Sequence, residues 1–373
     1  MQLQDLPTPA ALVDTDRMQR NIERMQQRMN ALGVAFRPHV KTSKCIEIST
    51  AQIEAGASGI TVSTLKEAEQ FFAAGVTDIL YAVGMSAPKL KQAAALLARG
   101  CALKIIADSA DSAKAIASFC RQNGVTFEVW IEIDTDGHRS GVQPHSDELI
   151  AIGQLLKGHL GGVMTHAGAS YALHTPEALG AMAEQERSRC VLAADRLRAA
   201  GLPCAHVSVG STPTALSARQ LDGVTEVRAG VYVFFDLVMA NVGVCSVDDV
   251  ALSVLTTVIG HQVEKGWAIV DAGWMAMSRD RGTQQQLRDY GYGQVCDAAG
   301  VPVEGYLMTS ANQEHGILSR ANEVDHDIAL RFPVGTQLRI LPNHACATGA
   351  QFPEYHAVDG QDVGPTWNRF YGW

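Results

Sequence analysis

From about residue 15 to 240, short apolar runs alternate with alanine-rich stretches whose apolar positions recur at helical spacing. The runs Ala35–Lys41, Gly59–Thr64, Asp78–Val83, Ala102–Asp108, Thr126–Asp134, Leu160–Gly168, His206–Thr212 and Glu226–Tyr232 are predicted strands. Helices are predicted between them, as at Leu65–Ala74, Ala87–Arg99, Ser109–Asn123, Asp147–Lys157, Pro176–Ala200 and Pro213–Leu221. A further helix, Thr15–Leu32, precedes the first strand, with Asp14 or Thr15 able to cap it. Eight strand–helix units in succession imply a parallel sheet with helical crossovers, and eight is the number that closes a TIM-like (β/α)8 barrel. Several runs are apolar almost throughout, as expected of strands covered on both faces.

The rhythm changes after about residue 245. Val250–His261, Trp267–Ala272, Gln294–Cys296, Leu338–Leu341 and Glu354–Val358 are strand-like and separated by Gly, Pro and Asn turns, which predicts a smaller all-β domain. Pro7-Thr8-Pro9 reads as an extended segment reaching that domain. The expected organisation is an α/β barrel over residues 10–243 and a β-rich domain made of 244–373 with 1–9.

Composition narrows the class without changing the fold. Of 373 residues, 47% are apolar and 18% charged, the balance of an ordinary globular protein. The net charge of -9, with no basic run, argues against nucleic acid or an anionic membrane as partner and favours a small molecule. Met1–Asp5 lacks the basic and apolar regions of a signal peptide, and no apolar run reaches the length of a membrane span. The 8 cysteines form no CxxC pair and read as reduced thiols, so a cytoplasmic protein is expected.

Residues at the C-terminal ends of barrel strands converge on one face, so they are read together. Lys41 closes the first predicted strand, where a lysine can form a Schiff base with a carbonyl cofactor. Asp134, His138 and Arg139 follow the fifth strand, and His166 and Tyr171 the sixth. Ser211 and Thr212 follow the seventh, and Gly230 and Tyr232 lie at the eighth, where small residues and free N–H groups suit a phosphate. Arg139 reads as a cation for an anionic cofactor oxygen or a substrate carboxylate. In the β domain, His344 and Cys346 stand two apart on what reads as an extended segment, so imidazole and thiolate can share one ion. Zinc or a similar borderline ion suits that pair, with positions left open for water or substrate. His315, in Gln313-Glu314-His315-Gly316, is a candidate acid–base or orienting group.

Taken in order, Arg37-Pro38-His39-Val40-Lys41-Thr42, Ile133–Val142, Thr165-His166-Ala167-Gly168 with Tyr171, Gly210-Ser211-Thr212-Pro213-Thr214 and Pro342-Asn343-His344-Ala345-Cys346 resemble one family. It is the fold-type III pyridoxal-phosphate family, in the branch of D-serine dehydratases and D-threonine aldolases, and the resemblance runs from about residue 5 to the C-terminus. It implies an alanine-racemase-like barrel with a C-terminal β domain, pyridoxal phosphate joined to Lys41, and a divalent metal (Zn, or Mn, Co or Mg) on His344 and Cys346. His39, Arg139, His166, Tyr171, Ser211, Thr212, Gly230 and Tyr232 would complete the cofactor site, and His315 would assist catalysis. It further implies a homodimer that eliminates water from D-3-hydroxyamino acids, D-threo-3-hydroxyaspartate or D-serine, giving a 2-oxo acid and ammonia. Freed Lys41 would take the Cα proton while the metal draws off the β-hydroxyl.

The aldolase branch typically carries Asp where this chain has Cys346, which favours elimination over retro-aldol cleavage. D-Threonine aldolase-type cleavage stays open as an alternative. So does racemisation, which needs a second acid–base residue, with Tyr290 and Tyr292 as candidates. A non-catalytic pyridoxal-phosphate carrier is the third; such carriers resemble the barrel alone.

Overall fold

The computed structural model describes Met1–Trp373. Its strands are, in chain order, β1 (Ala10–Asp14), β2 (Ala35–Phe36), β3 (Ile60–Val62), β4 (Asp78–Gly84), β5 (Ala102–Ala107), β6 (Glu128–Glu132), β7 (Leu160–Met164), β8 (His206–Val209) and β9 (Glu226–Val227). Then follow β10 (Leu252–Gln262), β11 (Trp267–Val270), β12 (Gly293–Cys296), β13 (Pro302–Ala311), β14 (Gly316–Arg320), β15 (Gln337–Pro342), β16 (Glu354–Asp359) and β17 (Asp362–Asn368). The chain divides into two units, Glu23–Gly230 with Phe370–Trp373, and Met1–Ile22 with Val231–Arg369.

In the first unit β2 to β9 are parallel, in the order β2-β9-β8-β7-β6-β5-β4-β3. The ring closes where His39 bridges Thr61. Val40 N–H donates to the Thr61 carbonyl at 2.9 Å and Thr61 N–H to the Pro38 carbonyl at 2.8 Å. All eight predicted barrel strands are present, most of them trimmed at their ends, while the third runs one residue further, to Gly84. The first shrinks from Ala35–Lys41 to Ala35–Phe36 because Pro38 has no N–H for the ladder. Lys41 therefore sits in the turn that follows rather than on the strand. The eighth shrinks to Glu226–Val227, and Tyr232 lies instead on a 3-10 turn, Val231–Val233, in the other unit.

A polar layer crosses this barrel. Arg37 pairs with Glu226 at 2.9 Å and with Asp78 at 2.8 Å, and Lys104 reaches Asp78 at 2.6 Å. Glu226 also accepts the Ser208 hydroxyl at 2.8 Å, and Ser208 accepts Arg228 Nε at 2.8 Å. The charges are each met by an opposite charge or a hydrogen bond, the condition under which buried ions persist. Arg37 of the Arg-Pro-His-x-Lys motif thus ties strands together. Apolar packing surrounds the layer, with Leu80, Ile106, Trp130 and Met164 in one cluster. Gly162 lies in register between Trp130 and His206, leaving room for those two rings to stack at 5.2 Å.

The second unit holds a nine-stranded sheet, β11-β14-β13-β12-β15-β10-β1-β16-β17. β10 pairs with β11 as well, so six of these strands form a closed antiparallel ring that β1, β16 and β17 extend. Ala10–Asp14 is a strand here, antiparallel to β10 and parallel to β16, so this unit takes more of the N-terminus than residues 1–9. It also begins at Val231 rather than 244, and Phe370–Trp373 go with the barrel. Leu3, Leu6, Leu12, Leu255, Val358 and Val363 pack together beneath the joined N- and C-terminal strands. No helix is long and apolar enough to cross a membrane, and all eight cysteines are free thiols.

Candidate active site

The barrel brings most of the predicted residues to one place. Lys41 is exposed, and its charge bears on His39 and His166, as does that of Arg228. Burial first, then those cations, hold both imidazoles neutral. His39 falls well below the ordinary 6.5, and His166 falls to about 3 although its Nδ1 meets the Gly210 carbonyl at 3.0 Å. His39 Nδ1 is buried without a hydrogen-bond partner. Arg139 is exposed, 3.4 Å from Glu132, and adds to the positive charge felt by His166. The set is net positive and suits an anionic ligand.

The loops after β7 and β8 are bonded to one another. Tyr171 lies on the 3-10 turn Gly168–Ala172, its ring 6.1 Å from that of His166. Ser170 Oγ meets Ser211 Oγ at 2.8 Å, and Ser211 caps the short helix Thr212–Ser217 in a reciprocal box with Thr214. Gly210 has φ +134, and a side chain there would run into the Arg228 carbonyl. A Cβ at Gly230 would stand 2.9 Å from the His39 carbonyl and 3.0 Å from Thr42 Oγ1, so only glycine lets the ninth strand's exit approach the Lys41 turn. After β6, Asp134 accepts the N–H groups of Asp136 and Gly137 at 3.1 and 2.6 Å, and Asp136 accepts Ala169 N–H at 2.8 Å. That loop is thereby tied to the next.

In the β unit the chain past β15 is clamped on both sides. Asn343 donates to the Gly291 carbonyl at 2.7 Å and accepts Thr283 Oγ1 at 3.0 Å. Buried Asp236 accepts Met239 N–H and Ala345 N–H, both at 2.9 Å. His344 is the N-cap of the helix Ala345–Gly349, and Cys346 stands on that helix. The pair is therefore brought together by a helical turn, not by the extended segment the sequence suggested. His344 Nδ1 lies 2.5 Å from Asp280 Oδ2. Burial opposes charge on His344, but Asp280 and Cys346 outweigh it and raise the imidazole to about 11. The same contact holds the Asp280 carboxyl below its ordinary range.

His315 is exposed at the turn between β13 and β14, where Asn312 N–H donates to its carbonyl at 2.8 Å. Tyr232 is fully buried. Tyr290 and Tyr292 lie beneath the guanidinium groups of Arg288 and Arg281, at 4.3 and 5.5 Å. Four further residues lie among these groups without having been singled out from sequence: Arg228, Glu186, Asp236 and Asp280. Glu186 did carry a signal, a carboxylate on the buried stripe Leu179, Ala183, Cys190, Ala193 and Leu197 of its helix.

Two family descriptions match this chain, "Alanine racemase, N-terminal domain" over residues 13–238 and "Putative serine dehydratase domain" over 251–358. The chain is 68% identical to a D-threo-3-hydroxyaspartate dehydratase of Delftia sp. (strain HT23), across 99% of this chain and 98% of that protein. The chain belongs to the D-serine dehydratase branch of the fold-type III pyridoxal-phosphate family. A D-serine dehydratase of Dictyostelium discoideum in the same branch is 31% identical, over 96% of this chain and 95% of its own length. Two solved mutants of D-threo-3-hydroxyaspartate dehydratase superpose with a TM-score of 0.99 at 67% identity, covering 100% of this chain and 97% and 100% of theirs. One replaces a histidine by alanine; the other replaces a cysteine two positions later and is in a metal-free form.

The residues fit the cofactor this family implies. An exposed lysine, a net-positive surround, a close glycine approach and the unpartnered His39 Nδ1 match a phosphorylated aldehyde. The imidazole of His344 and the thiol of Cys346 match a borderline divalent ion. No cluster of three or more His, Cys, Asp or Glu side chains suited to a metal occurs.

Proposed function

We propose that this chain is a pyridoxal-phosphate- and divalent-metal-dependent dehydratase, a carbon–oxygen lyase for D-3-hydroxyamino acids. Its preferred reaction converts D-threo-3-hydroxyaspartate to oxaloacetate and ammonia, with D-serine to pyruvate and ammonia as a second substrate. The observation that carries this is the 68% identity to D-threo-3-hydroxyaspartate dehydratase over 99% of the chain. The solved mutants support the metal assignment, since their His and Cys positions have the same two-residue spacing as His344 and Cys346.

When bound, pyridoxal phosphate supplies a sink for the electrons left at Cα, and a divalent ion supplies Lewis acidity to the departing β-hydroxyl. Lys41 would anchor the cofactor, and its Nζ would take the Cα proton. His39 and His166 are held neutral, chiefly by burial. Ser211, Thr212 and Gly230 would hold the phosphate, while Tyr171, His166, Tyr232 and Arg139 would complete the cofactor site. His344 and Cys346 would hold the ion, with Asp280 engaging His344 Nδ1. His315 remains an acid–base candidate. We place the protein in the cytoplasm as a homodimer, on its free thiols and its family.

Ammonia and 2-oxo acid release over a panel of D- and L-3-hydroxyamino acids, with and without added metals, tests this. D-Threonine separates the nearest rival: 2-oxobutyrate with ammonia supports elimination, and glycine with acetaldehyde refutes it.

A further inference from the structure

One buried carboxylate lies behind the barrel loops and has no part in the chemistry above. Glu186 is on the helix Pro176–Ala199 and only 2% exposed. Its Oε1 accepts Ala167 N–H at 3.0 Å and Gly210 N–H at 2.9 Å, and its carboxylate also bonds the Thr214 side chain. Those donors belong to two different loops, the one after β7 and the one after β8.

Each contact acts on a cofactor-site residue. Ala167 follows His166, and Gly210 supplies the carbonyl that His166 Nδ1 meets. Thr214 is the reciprocal partner of Ser211 in the cap that shapes the Gly210–Thr214 turn. Without Glu186, two inward N–H groups lose their acceptor, and buried donors do not remain unpaired without rearrangement. A carboxylate is an apt acceptor here because the buried guanidinium of Arg228 acts on it, while Arg228 itself bonds Ser208 and the Thr165 carbonyl.

We infer that Glu186 is a positioning residue that sets His166 and the Ser211–Thr212 turn in register to receive the cofactor's phosphate and ring. This rests on the reading above that the barrel binds pyridoxal phosphate. Glu186 touches neither cofactor nor substrate in this role; it acts through the two loops it spans.

The test titrates cofactor-free full-length wild type, Glu186→Ala, Glu186→Gln and Glu186→Asp with pyridoxal phosphate. Visible absorbance reads affinity, and 31P NMR reads the phosphate's surroundings. Glu186→Ala is expected to weaken binding tenfold or more and to displace or broaden the phosphorus resonance. Glu186→Gln, which keeps an acceptor oxygen in place, is expected to restore both to within about threefold of wild type, using hydrogen bonds alone. Glu186→Asp draws the acceptor back by one methylene, so it must show the displaced resonance even if the alanine variant fails to fold. Wild-type affinity and resonance in the Ala or Asp variant, with only a lowered thermal midpoint, would overturn the inference. A wild type that binds no pyridoxal phosphate would take down the functional reading, and this one with it.

Discussion

The base role proposed for Lys41 accords with what surrounds it. Two imidazoles that could compete for protons are held neutral, chiefly by burial, and a buried guanidinium sits beside them. Lys44, three residues on, is occupied: its Nζ lies 3.1 Å from buried Glu67. Replacing Lys41 by Ala should therefore abolish the visible absorbance that appears on cofactor binding, while Lys44→Ala should keep it; a retained band in the first variant would place the anchor elsewhere. The histidines carry a pH prediction. His166 is depressed from 6.5 to about 3, so between those values the unfolded chain holds a proton that the folded chain does not. The stability this represents is full above about pH 6.5 and falls as pH drops toward 3. The unfolding free energy of the cofactor-free protein from urea titrations between pH 7 and 5 should fall less steeply in His166→Gln, by up to about 1.4 kcal/mol per pH unit for the one proton. Equal slopes would show that His166 protonates freely in the folded state. Lys41, His344 and Cys346 stand out as candidates in the sequence because few residue types do the proposed chemistry and each lies in a dense motif. Asp280 was not, since nothing in Ser278-Arg279-Asp280-Arg281 says which histidine a loop carboxylate will meet.

Short elements do most of the aiming. Pro38 ends the β2 ladder early and turns Lys41 off the strand, while His39 still closes the barrel against Thr61. Helix Ala345–Gly349 is only five residues long, so its hold on Cys346 comes from what ties it down. Asp236 bonds its first N–H, and Thr348 Oγ1 donates to the Met277 carbonyl at 2.7 Å. Asp236→Ala strands two buried N–H groups, each costing on the order of 1–3 kcal/mol. It should lower the thermal midpoint by roughly 5 °C or more and reduce bound metal per chain, measured by elemental analysis, with cofactor absorbance preserved. Unchanged metal content would mean that Asp236 does not organise the His344–Cys346 turn. The alternation of runs and helical stretches made all eight barrel strands readable, since parallel strands covered on both faces are apolar throughout. β13 and β14 were missed because Gly305 interrupts the first and exposed polar residues line much of it. The turn of helix that unites His344 and Cys346 was missed because five residues carry no periodicity.

At the scale of the whole chain, neither unit is one continuous stretch. β1 lies parallel to β16, more than 300 residues later, a pairing that no local pattern encodes. Ala10–Asp14 reads as a lead-in to the barrel helix, and only its register with β10 and β16 makes it part of the other unit. In the proposed function the barrel unit would supply the lysine and the phosphate loops, and the β unit the imidazole–thiol pair. On that proposal both are needed for water to leave. Stripping the metal should therefore stop turnover while the cofactor's absorbance stays. The most direct measurement follows D-threo-3-hydroxyaspartate in the metal-free and metal-restored enzyme, quantifying oxaloacetate, ammonia, glycine and glyoxylate together. Equimolar oxaloacetate and ammonia, appearing only when metal is restored, is the expected result. Glycine with glyoxylate, or oxaloacetate formed at the same rate without metal, would contradict it.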